Sequence, residues 1–198
     1  MRKQTRPEEP EVLRSHQEKW NRQWRELRGR NPSAKFAWYE TGGKSAREWI
    51  LQDLRGMNQG HCSFCDGYPV ETVTSEPVEH FRPKSNPKFH DLAFAWDNLF
   101  YCCNACQSHK GEQWDDHLIK PDEPCYEFDR YFRFLDGRIE PVSGCDETVR
   151  LRAEATIRIF GLNERNLPRH RKLELRKWSR TTAPVLDDFA FRDFLEAG

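Results

Sequence analysis

The sequence predicts an α+β fold with helices toward both ends, a β-hairpin in the C-terminal third and a cysteine-rich segment between them. Apolar residues recur at helical spacing near both ends of the chain. The segment YEFDRYFRFLDGRIEPV is typical of a hairpin that turns at Asp136 and Gly137, because Asp-Gly is a favoured two-residue turn. Residues 61–117 follow neither pattern and concentrate cysteine, histidine and tryptophan.

The composition indicates a folded chain with an aromatic core. At 198 residues the chain suits one domain, or one domain with a small satellite. Hydrophobic residues make up only 36% of the chain but aromatic residues make up 13%, so the core should depend on Trp and Phe. The formal net charge of zero argues against a strongly basic nucleic-acid binder, although it leaves room for a local basic face.

The sequence shows no targeting signal, and the location that this predicts bears on the role of the cysteines. The N-terminal MRKQTRPEEPEVLR lacks the apolar region of a signal peptide, and no stretch approaches the roughly 18 apolar residues of a membrane span. We therefore expect a cytoplasmic protein without a membrane partner. Seven cysteines in a reducing compartment favour metal ligation over disulfides.

Residues 1–57 predict an N-terminal helical region behind a mobile, charged segment at residues 1–10. A helix ending near Gly29 is indicated by apolar and aromatic positions at helical spacing: Val12, Leu13, His16, Trp20, Trp24 and Leu27. This face either packs on the core or docks on a partner. Ser45 and Glu48 form a capping box for a second helix, whose packed face is Trp49, Ile50 and Leu54.

Residues 121–198 predict the hairpin followed by helices that pack on the core. One helical face contains Val149, Ala153, Ile157 and Phe160, and Gly161 ends that helix. A second helix is indicated by Leu167, Arg171, Leu175 and Trp178. A short terminal helix is expected over residues 184–195.

Two Cys-x-x-Cys pairs predict a structural zinc site. Cys62 and Cys65 form the first pair, and Cys103 and Cys106 form the second. Four thiolates suit tetrahedral Zn²⁺ and leave no open position for catalysis. A redox role is the alternative, but no thioredoxin-like βαβ pattern surrounds either pair. Cys102 could replace Cys103 in a looser spacing, and the tighter spacing is preferred.

The residues between the two cysteine pairs suggest hydrolytic chemistry. Glu79 directly precedes His80, and Asn98 follows later in the same segment. A carboxylate can hold a hard divalent cation, and a neutral imidazole can take a proton from water. A cation and a base are the minimum set of groups for phosphodiester hydrolysis.

These motifs in this order resemble the HNH (ββα-metal) endonuclease family. VEHFRPKS with WDNLFYCCNACQSHKG resembles the PtuB-like group of Septu-type and retron-associated bacterial defence systems, as does AEATIRIFGLNERNLPRHR in the tail. The resemblance implies a zinc-stapled ββα-metal (HNH) nuclease core over residues 58–120, in which the zinc ion joins two distant stretches. Phe81, Phe94, Trp96 and Phe100 are expected in the interior of this unit rather than as a base-stacking platform.

The resemblance also implies roles for individual residues. His80 matches the general base, Glu79 the preceding acidic metal ligand, and Asn98 the central asparagine that braces the loop and orients the histidine. Gln107 matches the last motif position, where the family usually has His or Asn. His109 could substitute as the metal ligand, but it lies about 200° around a regular helix from Gln107, so only one can face the ion.

The expected cofactors are structural Zn²⁺ and catalytic Mg²⁺ or Mn²⁺, and the expected substrate is DNA. Arg82, Lys84 and Lys110 are candidates for phosphate contact. The resemblance implies an SMC/ABC-like ATPase partner in an anti-phage complex. Two alternatives stay open: an RNase, for example one that cleaves tRNA, and a catalytically silent zinc module that binds nucleic acid or protein.

Overall fold

A computed structural model describes residues 1–71 and 77–198. Within these ranges the chain forms α-helices at Glu11–Arg30 (α1), Ala46–Gly56 (α2), Asn104–Lys110 (α3), Phe128–Tyr131 (α4), Glu147–Phe160 (α5), Leu167–Trp178 (α6) and Arg192–Ala197 (α7). Its strands are Glu40–Thr41 (β1), Lys44–Ser45 (β2), Val78–His80 (β3), Leu99–Tyr101 (β4), Phe132–Leu135 (β5) and Arg138–Pro141 (β6). The α+β class predicted from the sequence is therefore confirmed.

The described strands pair as three small antiparallel sheets, β1 with β2, β3 with β4, and β5 with β6. The predicted hairpin is present, and Asp136 and Gly137 turn it with positive φ angles of 48° and 79°. Its first strand begins only at Phe132, because the preceding four residues form α4. The β3–β4 pair followed by α3 gives a strand-strand-helix succession within the cysteine-rich segment.

The N-terminal helices are placed as predicted, and α1 packs on the core. Trp20 and Trp24 are each only 3% exposed, and the Trp20 ring lies 5.4 Å from that of Phe94. The apolar face of α1 is therefore used within the chain, apart from the exposed Leu27. The Ser45 capping box is present at the start of α2, but Trp49 is 42% exposed rather than packed.

The C-terminal helices also follow the sequence. Helix α5 begins after an Asp146 side-chain cap and ends at Gly161, whose left-handed conformation stops the helix. Helix α6 covers the predicted residues. The terminal helix starts later than expected, because residues 186–188 form a separate short 3₁₀ turn before α7.

The first ten residues pack on the molecule, so the expected mobility is wrong. Met1 is 3% exposed and Gln4 is 4% exposed. The amide of Gln4 donates to the carbonyl oxygen of Ser63 at 3.2 Å and accepts from the Ser63 hydroxyl at 3.1 Å. The Arg6 guanidinium reaches the carboxylate of Asp122 at 2.6 Å. This segment therefore holds the first cysteine loop in place.

One hydrophobic core contains residues from all three predicted regions. The four aromatic residues expected inside the strand-strand-helix unit are buried, which confirms their assignment to the core: Phe81, Phe94, Trp96 and Phe100. The core lies beneath the cysteine-rich segment, where β4 packs on α2 and α3 packs on α5.

No helix in the described ranges combines the length and apolar character that a membrane crossing requires.

A buried guanidinium joins α7 to the first cysteine loop. The side chains of Arg192 and Asp66 are both 2% exposed, and Arg192 Nη2 lies 2.7 Å from Asp66 Oδ1. The same guanidinium donates to Asn58 Oδ1 at 2.6 Å, Gln59 Oε1 at 2.8 Å and Asp187 Oδ1 at 2.6 Å. Its charge is thus satisfied inside the protein, and it holds the chain terminus against the loop.

We expect Arg192→Met to lower the free energy of unfolding by about 3–5 kcal/mol, because it leaves the Asp66 carboxylate buried without its partner. Urea unfolding at fixed metal concentration measures the loss. Arg150→Met is the matched control, since Arg150 forms exposed pairs with Glu147 and Glu154 and its replacement should change the free energy of unfolding far less. Equal losses in the two variants would contradict the expectation.

Candidate functional site

Four cysteines form a buried cluster that could hold a metal ion such as zinc. Their Sγ atoms all lie within 4.8 Å of one another: Cys62, Cys65, Cys103 and Cys106. The first two lie on a loop after α2, closed by the amide of Asp66 donating to the Cys62 carbonyl at 3.0 Å. The second two lie at the cap and in the first turn of α3. Four thiols at this spacing fit the donor set and geometry of a closed tetrahedral zinc site.

Cys102 lies next to the cluster but outside it, in agreement with the preferred spacing. Its Sγ is 3.9 Å from Cys62 Sγ and donates to the carbonyl oxygen of Cys103 at 3.5 Å. Cys125 is exposed and Cys145 is half-buried, and neither belongs to the cluster.

A cavity of about 260 Å³ opens beside the cluster, between β3 and α3. It is lined by Glu79, His80, Pro83, Lys84, Asn104, Gln107, Ser108, Lys110, Gly111 and Glu112. The antiparallel pairing of β3 with β4 places Glu79 and His80 on one wall. Helix α3 supplies the opposite wall and also carries Cys106, so the cluster and the cavity share one element.

The ring of His80 is fixed in a defined tautomer. Its Nε2 lies 2.9 Å from the carbonyl oxygen of Ala93. Because a carbonyl only accepts hydrogen bonds, Nε2 carries the hydrogen and Nδ1 of the neutral ring keeps its lone pair. The Trp38 ring stacks on the imidazole with centroids 5.6 Å apart, and Phe36 meets it edge-on at 5.0 Å. This arrangement leaves Nδ1 as the ring's proton acceptor.

The electrostatic environment favours the neutral form of His80. Burial and the positive charge of Lys84 hold its pKa well below the ordinary value, although the hydrogen bond to Ala93 acts in the opposite direction. Lys110 adds a further lowering of the pKa. A neutral imidazole is the form that can take a proton from water.

Asn98 braces the backbone that follows His80. Its Oδ1 accepts from the amide of Arg82 at 2.7 Å, and its Nδ2 donates to the carbonyl oxygens of Arg82 at 3.1 Å and Leu92 at 2.9 Å. The side chain is buried, and its amide joins the end of β3 to the segment that supplies the Ala93 carbonyl. Asn98 therefore holds in register the two backbone stretches that orient the histidine.

Lys110 is an internal cation, which corrects its prediction as a phosphate contact. The residue is 0% exposed, and its Nζ lies 2.7 Å from Glu79 Oε1, 2.9 Å from the carbonyl oxygen of His80 and 3.4 Å from that of Gly111. These three acceptors use all three ammonium hydrogens. Burial raises the pKa of Glu79, while Lys110 acts in the opposite direction and supports the carboxylate.

Gln107 lines the cavity, whereas His109 does not. Gln107 Nε2 donates to the carbonyl oxygen of Cys102 at 2.8 Å. His109 Nε2 lies 3.1 Å from the carbonyl oxygen of Arg158, and its ring packs against Gly161 at the end of α5. The prediction of His109 as a substitute metal ligand is therefore wrong for this geometry, because its ring is occupied at a different surface of α3.

Lys84 and Arg82, the two other predicted phosphate contacts, lie at different cavities. Lys84 lines the cavity, with its Nζ 5.2 Å from the Phe36 ring. The Arg82 guanidinium lies 5.7 Å from the Trp114 ring and borders a separate cavity of about 590 Å³. Of these two residues, only Lys84 lines the cavity beside His80.

Three residues of the site escaped the sequence analysis. Glu112 brings a second carboxylate to the cavity and accepts a hydrogen bond from the Ser85 hydroxyl. Phe36 and Trp38 enclose His80, and their alternate spacing in the segment before β1 was the one available signal. Nothing in the sequence connected that segment with the motif.

The cavity offers a hard cation a small donor set. Glu79 and Gln107 supply one carboxylate and one amide, and Mg²⁺ is commonly bound through one or two carboxylates with water and substrate phosphate completing the shell. Lys110 already engages one oxygen of Glu79. The residues therefore fit a hydrated ion that substrate helps to bind, and the ammonium should weaken binding of the ion without substrate.

Comparisons with known proteins do not assign the chain to a family. No protein-family model matches the chain, and no curated protein matches it significantly.

We expect the purified protein to carry one tightly bound transition-metal ion such as zinc per chain, measured by elemental analysis. Cys106→Ser should lose the ion and the cooperative unfolding transition, because it removes a ligand from a buried four-thiol cluster. Cys102→Ser should keep the ion, as should the exposed-site control Cys125→Ser. Loss of the ion in Cys102→Ser with retention in Cys103→Ser would overturn the assignment of ligands.

We expect Lys110→Met to lower the free energy of unfolding by about 3 kcal/mol, because Glu79 would remain as a buried, unpaired carboxylate. Adding Glu79→Gln should restore at least half of the loss, as a double-mutant cycle in urea would show. Lys172→Met is the control, since its pair with Asp136 is exposed. A single variant as stable as this control would contradict the role of the buried pair.

Proposed function

We propose that this chain is a metal-dependent endonuclease of the HNH type whose four-cysteine cluster holds a structural zinc ion. One observation carries the proposal. His80, fixed in a neutral tautomer with Nδ1 as proton acceptor, lines a cavity together with Glu79 and Gln107, the residues that match the metal positions of the motif. The β3–β4–α3 succession around the cavity supports the same conclusion.

The chain's own residues supply base, orientation and charge. His80 accepts a proton from water at Nδ1, while Trp38 and Phe36 prevent the ring from turning. Asn98 holds the backbone that carries the Nε2 partner. Lys84 provides a positive charge at the cavity for a phosphate. A divalent ion such as Mg²⁺ or Mn²⁺, held by Glu79 and Gln107, would supply stabilisation of negative charge on the reacting phosphate.

The proposed substrate is DNA, and the proposed setting is an anti-phage complex with an SMC/ABC-like ATPase. The resemblance of the motif phrases supports this setting, and the zero net charge suits a subunit that borrows nucleic-acid affinity from a partner. Trp20 and Trp24 of α1 are buried in the chain's own core, so that helix is a poor candidate for the ATPase interface.

We expect the wild-type protein to cleave plasmid DNA with Mg²⁺ and not with EDTA, and His80→Ala to cleave at least about 100-fold more slowly because the general base is gone. Single-turnover assays on plasmid DNA and on total tRNA measure the rates. His117→Ala is the matched control, since His117 is exposed and pairs with Asp115.

Each outcome of this assay has a distinct meaning. Cleavage of tRNA alone would replace the DNA nuclease with an RNase that uses the same site. Equal cleavage by wild type and His80→Ala, or no cleavage of either substrate, would contradict a catalytic role and favour a silent zinc module.

A further inference from the structure

A second, larger depression lies on the other side of α3. It is an open groove of about 1130 Å³ between α6, the loop that contains Cys65, and the first turns of α3. None of the residues predicted for catalysis lines it. Part of its lining comes from the basic stretch RHRKLELRKWSR.

The rim of the groove is positively charged. Arg165, Arg176, Lys177 and Arg180 line it, and Glu174, the only carboxylate among the described lining residues, pairs with Lys177 at 2.8 Å. Arg176 and Arg180 are exposed and form no ion pair with any residue in the described ranges. In a chain of zero net charge, this is a local excess of cations that suits a polyanion.

The floor of the groove is apolar, and this property favours a polyanion that also carries exposed apolar groups. Tyr68 is 37% exposed and Leu173 is 41% exposed, and both line the groove. The Tyr68 ring stacks on His61 with centroids 4.3 Å apart, so it is held as a platform. Unpaired bases stack on such surfaces while basic side chains follow the phosphates, whereas a duplex keeps its bases stacked inside.

The groove and the cavity meet at α3. Asn104 and Ser108 line both, so they form the boundary between the two depressions. We infer that the groove binds a single strand of nucleic acid and directs it over the first turns of α3 into the cavity that contains His80. This inference rests on the proposed function, since it assigns the form of that site's substrate.

Binding is tested with His80→Ala protein and a fluorescein-labelled 20-nucleotide single strand, measured by anisotropy from 50 to 300 mM NaCl. Adding Arg176→Gln and Arg180→Gln should weaken binding on the order of tenfold. The slope of the logarithm of the binding constant against the logarithm of the salt concentration should become shallower by about 1.4, because each phosphate contact on a single strand contributes about 0.7 to that slope. Lys19→Gln with Arg22→Gln removes the same charge from the exposed face of α1 and should change neither quantity.

Cleavage separates this inference from the proposed function. With an active His80, the Arg176→Gln, Arg180→Gln protein should cleave the 20-nucleotide single strand with a raised KM and an unchanged kcat. If the affinity and the salt dependence equal those of the α1 control, the groove is not the binding site, and the proposed nuclease function is unaffected. Duplex DNA that binds more tightly than the single strand, with the same sensitivity to the two arginines, would overturn the single-strand assignment. Weakened binding in a protein that cleaves nothing would support the groove and contradict the nuclease.

Discussion

The convergence of four thiols on one point is the constraint on which the rest of the site depends. Cys62 and Cys103 are 41 residues apart in sequence, yet the Cys103 amide donates to Cys62 Sγ at 3.4 Å. The strands in this segment have only three residues each, and two-stranded sheets of this size are not stable alone. A metal ion on the cluster, together with the aromatic core below it, would hold β3 and α3 at the distance that forms the cavity.

The sequence predicts those features of the structure that depend on a few adjacent residues. Helix ends at Ser45 and Gly161, the turn at Asp136 and Gly137, and the two Cys-x-x-Cys pairs each depend on a few adjacent residues with a specific geometric requirement. The positions of Glu79 and His80 beside Gln107 came from motif resemblance rather than from periodicity. The helix ends, the turn and the cysteine pairs were predictable because each depends on local geometry, whereas the roles of Glu79, His80 and Gln107 stay predictions.

The predictions that fail concern contacts between side chains that are distant in the sequence. The position of Lys110 on the helix beside the predicted site suggests a phosphate contact, but its partner is Glu79, 31 residues earlier. Residues 1–10 were read as mobile because they are charged, yet Gln4 and Arg6 find partners at Ser63 and Asp122. Spacing along one element shows which face a residue occupies, but not which group the fold brings to that face.

Helix α3 has only seven residues, and several of them contact different parts of the molecule. Cys106 and Lys110 are one turn apart, one in the thiol cluster and the other beneath Glu79, while His109 packs on α5. Inserting or deleting a single residue here would rotate the following side chains by about 100°. Length variation in this helix would therefore be far less tolerable than substitution, because the thiol cluster and the cavity depend on the same helical register.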